Sequence, residues 1–392
     1  MFDLNTVEVR CTHHAAFDPA EQPGIRAITY EGMPIAGKKT KVFAYIGFPE
    51  NAGGTVPGVV LVHSGGGHAF PHWVKLWVDH GYAAIAMDTT GYFPDESESG
   101  WHHGLYGEFA EDGYTDAPGN QSMQEVTDDC VEKQWMYHAV ADVMLARRIL
   151  AADPRVDAAK IGMTGISWGG VITSIMLGYE TEFAFAIPVY GSGYLSDLTL
   201  GSIRRWFQSE PVRKLWLAEK RFDKVKTPVF WLCWNDDNNF SVQANTQSYL
   251  DTRPGNEQTI LSIIDGMGHG HTLGWARPEI MAYADAILAG RAVPQVLTQP
   301  QGRAFSFDIA VEGKAEATAY YITSPMRYVK QNKYGYGEYP FMEQTWQTIP
   351  CTVSGGTVTG QLPEDAAGYY VEIKTELDGE PFVLTSGYVE PA

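Results

Sequence analysis

The chain has 392 residues, and 28 Lys and Arg stand against 47 Asp and Glu, for a formal charge of −19. Such a balance argues against a nucleic-acid backbone or an anionic membrane surface as partner, since both need a basic footprint. Hydrophobic residues at 44% and charged residues at 19% describe a globular protein with room for one large domain or two unequal ones, not a disordered chain.

Other bulk features narrow the reading further. Aromatic residues make up 12%, a surplus suited either to a well-filled core or to a ligand pocket. The four cysteines, Cys11, Cys130, Cys233 and Cys351, are widely spaced and form no CxxC pair, so free thiols in a reducing compartment are expected. The opening residues lack a basic and then apolar signal segment, and no apolar run has the length of a membrane span. A cytoplasmic location is the expectation, with export after removal of a leader as the alternative.

In chain order, Val42–Phe48 reads as an early strand. Continuous apolar runs follow at Gly58–His63, Tyr82–Asp88, Lys160–Thr164, Phe183–Tyr190, Pro228–Trp234 and Thr259–Ile264. Unbroken apolar strands are those covered on both faces of a parallel sheet. Helical stretches lie between them at 128–152, 169–179 and 278–289, the first stopped by Asp153-Pro154. Alternating β and α elements imply an α/β fold with a mainly parallel sheet and helices on both faces. Two long inserts, about 91–126 and 191–225, interrupt the rhythm and are rich in Tyr, Trp, Phe and His; such loops are lids, binding loops or peripheral packing. After a linker-like stretch at 291–302, runs such as Phe305–Ile309, Thr318–Ile322, Thr357–Gly360, Gly368–Lys374 and Pro381–Ser386 predict a small all-β, sandwich-like domain. The expected division is a catalytic domain over 1–295 and a β domain over 300–392.

Gly165-Ile-Ser167-Trp168-Gly169 is a G-x-S-x-G placed directly after an apolar strand and before a helical run. That context turns a common pattern into a nucleophile elbow, with Ser167 exposed at the strand's carboxyl end and the Trp168 N–H facing an oxyanion. Upstream, His63-Ser64-Gly65-Gly66-Gly67-His68 ends another strand, and its glycines let backbone N–H groups of Gly65 or Gly66 approach a substrate oxygen. A serine nucleophile needs a base and an acid that orients it, in the order Ser, Asp, His for this architecture. Asn235-Asp236-Asp237 follows the next-to-last apolar strand and Asp265-Gly-Met-Gly-His269-Gly-His271 follows the last. Asp236 is preferred to Asp237 and His269 to His271, both alternatives staying open.

The remaining histidines make no HExxH or other recognised metal spacing, so neither a metal nor another cofactor is expected. His68, Tyr92, Trp101, His102, His103, Tyr190 and His271 are the expected pocket residues. Asp88-Thr-Thr-Gly91 reads as a structural turn.

On these motifs the chain resembles the α/β-hydrolases, in particular the dienelactone hydrolase and acetyl-xylan-esterase-like branches. The resemblance covers about residues 25–290 and the tail only loosely. It implies Ser167 as nucleophile, Asp236 from its N-D turn, His269 from a G-x-x-H-G stretch, and an oxyanion loop that departs from H-G-G-G by Ser64 at the second position. The implied activity is hydrolysis of short acyl esters, those of carbohydrates among them, by a Ser-His-Asp acyl-enzyme route without a cofactor. A prolyl-oligopeptidase-like serine peptidase and a non-catalytic binding module on the same fold are the alternatives. The expected partner is a small-molecule or saccharide ester; the oligomeric state is left open.

Overall fold

The computed structural model describes residues 2–50, 53–95, 100–120, 128–179, 182–196, 205–207, 209–237, 239–324, 326 and 345–391. Parts of both predicted inserts, 96–99, 121–127, 197–204 and 208, lie outside the described residues. The chain divides into two compact units, Met1–Ala184 with Ser209–Trp216 and Phe185–Gln208 with Leu217–Ala392.

The first unit holds strands β1 (Cys11–His13), β2 (Arg26–Ile35), β3 (Lys38–Gly47), β4 (Val56–Val62), β5 (Ala83–Met87) and β8 (Val156–Ile166), in the order β1-β2-β3-β5-β4-β8. The first three pairings are antiparallel, whereas β4 runs parallel to both β5 and β8. The parallel strands are buried along nearly their whole length at β4 and β5, as their unbroken apolar sequences require. Helices α1 (Pro71–Asp79), α2 (Trp135–Ala152) and α3 (Trp168–Met176) belong to this unit. Pro71 occupies the first helical position of α1, where its missing N–H costs nothing. The helix expected from residue 128 begins only at Trp135; a 3-10 segment, Asp128–Lys133, precedes it.

The first insert contributes a two-stranded ribbon, β6 (Tyr92–Pro94) against β7 (Trp101–His103). Phe93 and Phe109 are buried and pack with Phe43 of β3, so part of the insert's aromatic content fills core. The same holds for the second insert. Its Phe207 and Trp216 are fully buried, and the Trp216 indole N–H donates to Gln134 Oε1 at 2.8 Å.

The second unit holds three parallel strands, β9 (Ala186–Val189), β10 (Phe230–Trp234) and β11 (Ile260–Ile264). Two four-stranded antiparallel sheets follow. Strands β12 (Gln295–Val296), β13 (Ala304–Ala310), β16 (Thr352–Ser354) and β17 (Thr357–Gln361) lie in the order β12-β13-β17-β16. Strands β14 (Glu316–Ile322), β15 (Gln347–Pro350), β18 (Gly368–Leu377) and β19 (Glu380–Thr385) lie in the order β15-β14-β18-β19. In β13 exposed and buried residues alternate without exception, the pattern of a strand with one wet face. Phe305 of β13 stacks on Tyr369 of β18 at 5.2 Å, joining the buried faces of the two sheets. The linker-like stretch at 291–302 thus supplies a short strand, β12, to the first of them.

Candidate active site

Every residue of chemical interest follows the carboxyl end of a parallel strand: His63 after β4, Asp88 after β5, Ser167 after β8, Tyr190 after β9, Asp237 after β10 and His269 after β11. In open α/β sheets ligands bind outside the carboxyl ends of the strands.

Ser167 sits between β8 and α3 with φ 59° and ψ −116°, a left-handed conformation that costs a non-glycine residue of the order of 1–3 kcal/mol. Its neighbours enforce the turn. A Cβ on Gly165 would lie 2.1 Å from Gly169 O, and one on Gly169 would lie 2.0 Å from Val62 O, so neither position admits a side chain. The strand, the turn and the start of α3 are therefore in backbone contact with β4, which carries the glycine loop. Ser167 is 9% exposed, and its carbonyl accepts the Val171 N–H at 2.9 Å as α3 begins.

The glycine loop meets the same helix start. A Cβ on Gly65 would lie 2.3 Å from Trp168 Cδ1, so the indole lies flush against that backbone. Trp168 packs edge-on against Trp135 at 5.3 Å, and the Trp135 indole N–H donates to Thr89 O at 2.5 Å. Asn120 Nδ2 donates to Gly65 O at 2.9 Å and fixes the loop from the insert side. Sequence reasoning missed Asn120 and Trp135; a single amide in an aperiodic insert and one aromatic in a helical stripe give no signal of this role.

His63 is buried with both ring nitrogens engaged by backbone. Nε2 accepts the Thr89 N–H at 2.9 Å, so Nδ1 carries the proton and donates to Ser64 O at 2.5 Å. Burial pushes its pKa down, outweighing the opposite pull of Asp88, and keeps the ring neutral. Asp88 Oδ1 accepts the N–H groups of Thr90 at 2.8 Å and Tyr92 at 2.9 Å, the structural turn expected of this segment. Burial opposes ionisation of Asp88, but His68, His63 and those N–H groups prevail and its pKa falls.

In the second unit His269 and an aspartate come together, and the aspartate is Asp237. The Nδ1 of His269 donates to Asp237 Oδ2 at 2.7 Å. The other oxygen, Oδ1, accepts the N–H groups of Asn239 at 2.7 Å and Phe240 at 3.0 Å. The carboxylate is wholly buried and held by three donors. The expected Asp236 is corrected on this point: its Oδ1 accepts the Trp346 indole N–H at 3.0 Å. The physical reason is the turn itself. Asp237 stands where its side chain can bond the N–H groups two and three residues on, an Asx-type turn that leads into the helix Val242–Thr252. That local pattern was the available signal for choosing Asp237. With Nδ1 protonated, Nε2 is the basic nitrogen of His269, whose side chain is 24% exposed.

Tyr190 stacks on the His269 ring at 4.7 Å, and Phe240 lies nearly parallel to it at 6.1 Å. Tyr190 adopts φ 55°, is fully buried, and its hydroxyl pKa is driven up chiefly by burial. His271 opens the short helix His271–Trp275 and its ring lies 6.0 Å from Trp275.

Of the expected pocket residues in the first unit, His68, Tyr92, Trp101 and His103 come together. His68 stacks on Trp101 at 4.5 Å with 11° between the planes and lies 5.3 Å from Tyr92, which meets His103 edge-on at 5.3 Å. His102 is exposed and turns to Tyr106 instead, as alternation along β7 dictates. His13 and His14 bond Asp18 and Glu108, and no group of three or more His, Cys, Asp or Glu is arranged to hold a metal ion among the described residues. Cys11, Cys233 and Cys351 are free thiols.

Comparison with solved structures places the fold. An acetyl xylan esterase from Paenibacillus sp. R4 aligns with a TM-score of 0.51 at 18% identity, over 72% of this chain and 90% of that one. An acylaminoacyl peptidase from Pyrococcus horikoshii aligns at 0.49 and 17% identity over 69% of this chain; the chain spans only 41% of that protein's length. An acetyl xylan esterase from Thermoanaerobacterium sp. JW/SL YS485 aligns at 0.47 and 13% identity, over 72% and 89%. None of the curated proteins matches. No helix among the described residues is long and apolar enough to cross a membrane. The model of the dienelactone hydrolase family matches residues 42–286, from the third strand through the histidine loop to the helix after it. The chain belongs to the dienelactone hydrolase family and has the α/β-hydrolase fold, extended by a C-terminal all-β region.

Proposed function

We propose that this hydrolase cleaves carboxylic esters through Ser167 as nucleophile, His269 as base and Asp237 as the acid that orients the base. The backbone of Ser167 carries the reading. A serine held at φ 59°, between two glycines that cannot accept a Cβ, is a strained conformation with no evident packing purpose. The Asp237–His269 pair supports it by fixing the imidazole tautomer needed to accept a proton at Nε2.

In the first step His269 Nε2 takes the Ser167 hydroxyl proton while Oγ attacks the ester carbonyl. The tetrahedral oxyanion is met by backbone N–H groups, those of Trp168 and of Gly65 or Gly66. The imidazolium then protonates the departing alcohol, leaving an acyl-serine. Water attacks the acyl carbon, giving its proton to His269, and the acid leaves as Ser167 regains its proton. Asp237 orients the ring and stabilises the imidazolium.

Short acyl groups on a carbohydrate or another polar alcohol are the proposed substrates. Support comes from the partly exposed His68–Trp101–Tyr92 cluster beside the glycine loop, flat faces of the kind on which sugar or phenol rings stack.

The test is labelling with a fluorophosphonate probe, followed by turnover of an aryl acetate, an acetylated xylo-oligosaccharide and a proline-containing peptide. The wild type labels at Ser167 and hydrolyses the esters. The Ser167→Ala variant neither labels nor turns over, losing on the order of 10⁶ in kcat. An unlabelled wild type, or equal turnover in Ser167→Ala, overturns the proposal; turnover of the peptide alone replaces the ester by an amide.

A further inference from the structure

The loop that carries Asp237 also carries a second carboxylate, and the C-terminal β region holds that one. Trp346, half-buried just ahead of β15, donates its indole N–H to Asp236 Oδ1 at 3.0 Å. Its ring is seated edge-on against Tyr370 at 5.1 Å and Tyr388 at 6.4 Å, and Tyr370 stacks on Tyr320 at 5.2 Å with 3° between the planes. The indole is thus placed by Tyr370 of β18 and by Tyr388 beyond β19, not by the loop it bonds. The preceding loop residue is held from the same quarter. Asn235 Nδ2 reaches the Tyr370 hydroxyl at 3.3 Å and donates to Asp265 Oδ1 at 2.8 Å, which ties the acid loop to the start of the histidine loop.

Two adjacent aspartates in one turn offer an imidazole two possible partners. The carboxylate that the imidazole does pair with, Asp237, also holds two backbone N–H donors. The indole N–H fixed on Asp236 engages that carboxylate and disfavours the competing arrangement. We propose that Trp346 is a positioning residue: by holding Asp236 it commits His269 to Asp237. The C-terminal β region then takes part in setting the base, a role that rests on the function proposed above.

The experiment uses the full chain and three variants. Trp346→Phe keeps a ring against Tyr370 and deletes the N–H. Asp236→Asn leaves a carbonyl oxygen for the indole but no charge to compete for the imidazole. The third variant combines the two. Trp346→Phe is expected to lower kcat and the rate of fluorophosphonate labelling about tenfold, the size of one hydrogen bond to a charged group, with KM within about twofold. The acid limb of its kcat/KM profile moves to higher pH, because a released carboxylate beside the imidazole favours the imidazolium. Adding Asp236→Asn to Trp346→Phe restores most of the loss and returns the limb, a rescue that mere damage to the indole site would not give. A Trp346→Phe variant with wild-type kcat overturns the proposal, and so does a loss that Asp236→Asn leaves in place. A wild type that fails to label overturns the ester-hydrolase reading instead, so the two failures are distinct.

Discussion

Two pairs of strand-end loops in this molecule each bring a histidine to an aspartate, and they are put to opposite uses. In the first unit His63 is buried, both its nitrogens face backbone, and Asp88 Oδ2 lies 3.6 Å from Nε2, beyond a hydrogen bond. In the second unit His269 is partly exposed, gives Nδ1 to Asp237 at 2.7 Å, and keeps Nε2 as the basic edge. Residue type and strand-end position are the same. What differs is whether a backbone N–H occupies the nitrogen that would have to accept a proton. A histidine whose Nε2 is taken by Thr89 fastens two loops together; one whose Nδ1 is taken by a carboxylate becomes a base.

The comparison breaks first at Asp237. Asp237→Asn removes the charge that fixes the tautomer and is expected to lower kcat by about 10⁴, measured as ester turnover. Asp88→Asn is expected to act on stability instead, by about 1–3 kcal/mol in urea unfolding, because it removes the buried charge that two N–H donors and the neighbouring His68 hold. Equal catalytic losses in the two variants would erase the distinction between the loops.

The next effect concerns the elbow. Gly169→Ala sets a Cβ 2.0 Å from Val62 O, so the chain is expected to lose about 3 kcal/mol or more, read as a lower urea midpoint. A midpoint unchanged from wild type would mean that the close approach of α3 to β4 is not required.

The smallest effect comes from a third histidine, which sharpens the contrast further. His138 in α2 is buried, donates from Nε2 to Glu132 O at 2.7 Å, and has no partner at Nδ1. Burial lowers its pKa to about 4, whereas the unfolded chain titrates near 6.5. Between these values the unfolded state binds the extra proton, so the stability present above pH 6.5 is lost as the pH falls towards 4. His138→Gln, which keeps a donor for Glu132, is expected to flatten that decline by up to about 3 kcal/mol in denaturation curves taken from pH 7 to pH 4. An unaltered slope would show that the acid sensitivity lies elsewhere.

Much of the fold was legible because parallel strands must be apolar on both faces. Gly58–His63, Tyr82–Asp88 and Pro228–Trp234 contain β4, β5 and β10 within a residue or two of their ends. The antiparallel β1, β2 and the β6–β7 ribbon were not read: β1 and the ribbon strands are three residues each, at an edge or in an insert, and the buried β2 mixes charged residues and glycine into its apolar sequence. Within the site, Ser167 and the glycine loop were marked by local sequence that no other turn would tolerate. The choice between Asp236 and Asp237 depended on which carboxylate reaches backbone N–H groups ahead of it and which reaches Trp346, more than a hundred residues on. Only the first of these leaves a trace in neighbouring residues. The aromatic surplus proved mixed: Trp101 and Tyr92 gather beside His68, while Phe93, Phe109, Phe207 and Trp216 are core.

The contacts between β11 and the C-terminal sheet bear on how this chain avoids aggregating. Strand β11 ends its parallel set and, left bare, would present unpaired backbone groups. Thr385 Oγ1 accepts the Ile263 N–H at 3.2 Å, and Ser262 donates its hydroxyl to Val383 O at 2.6 Å, so β19 covers that flank. Ending the chain at the close of the family match would uncover a hydrophobic strand able to template its own kind. The shortened product would be a precipitate, not a smaller hydrolase, and the β region serves as a guard on the edge as well as a brace on the acid loop.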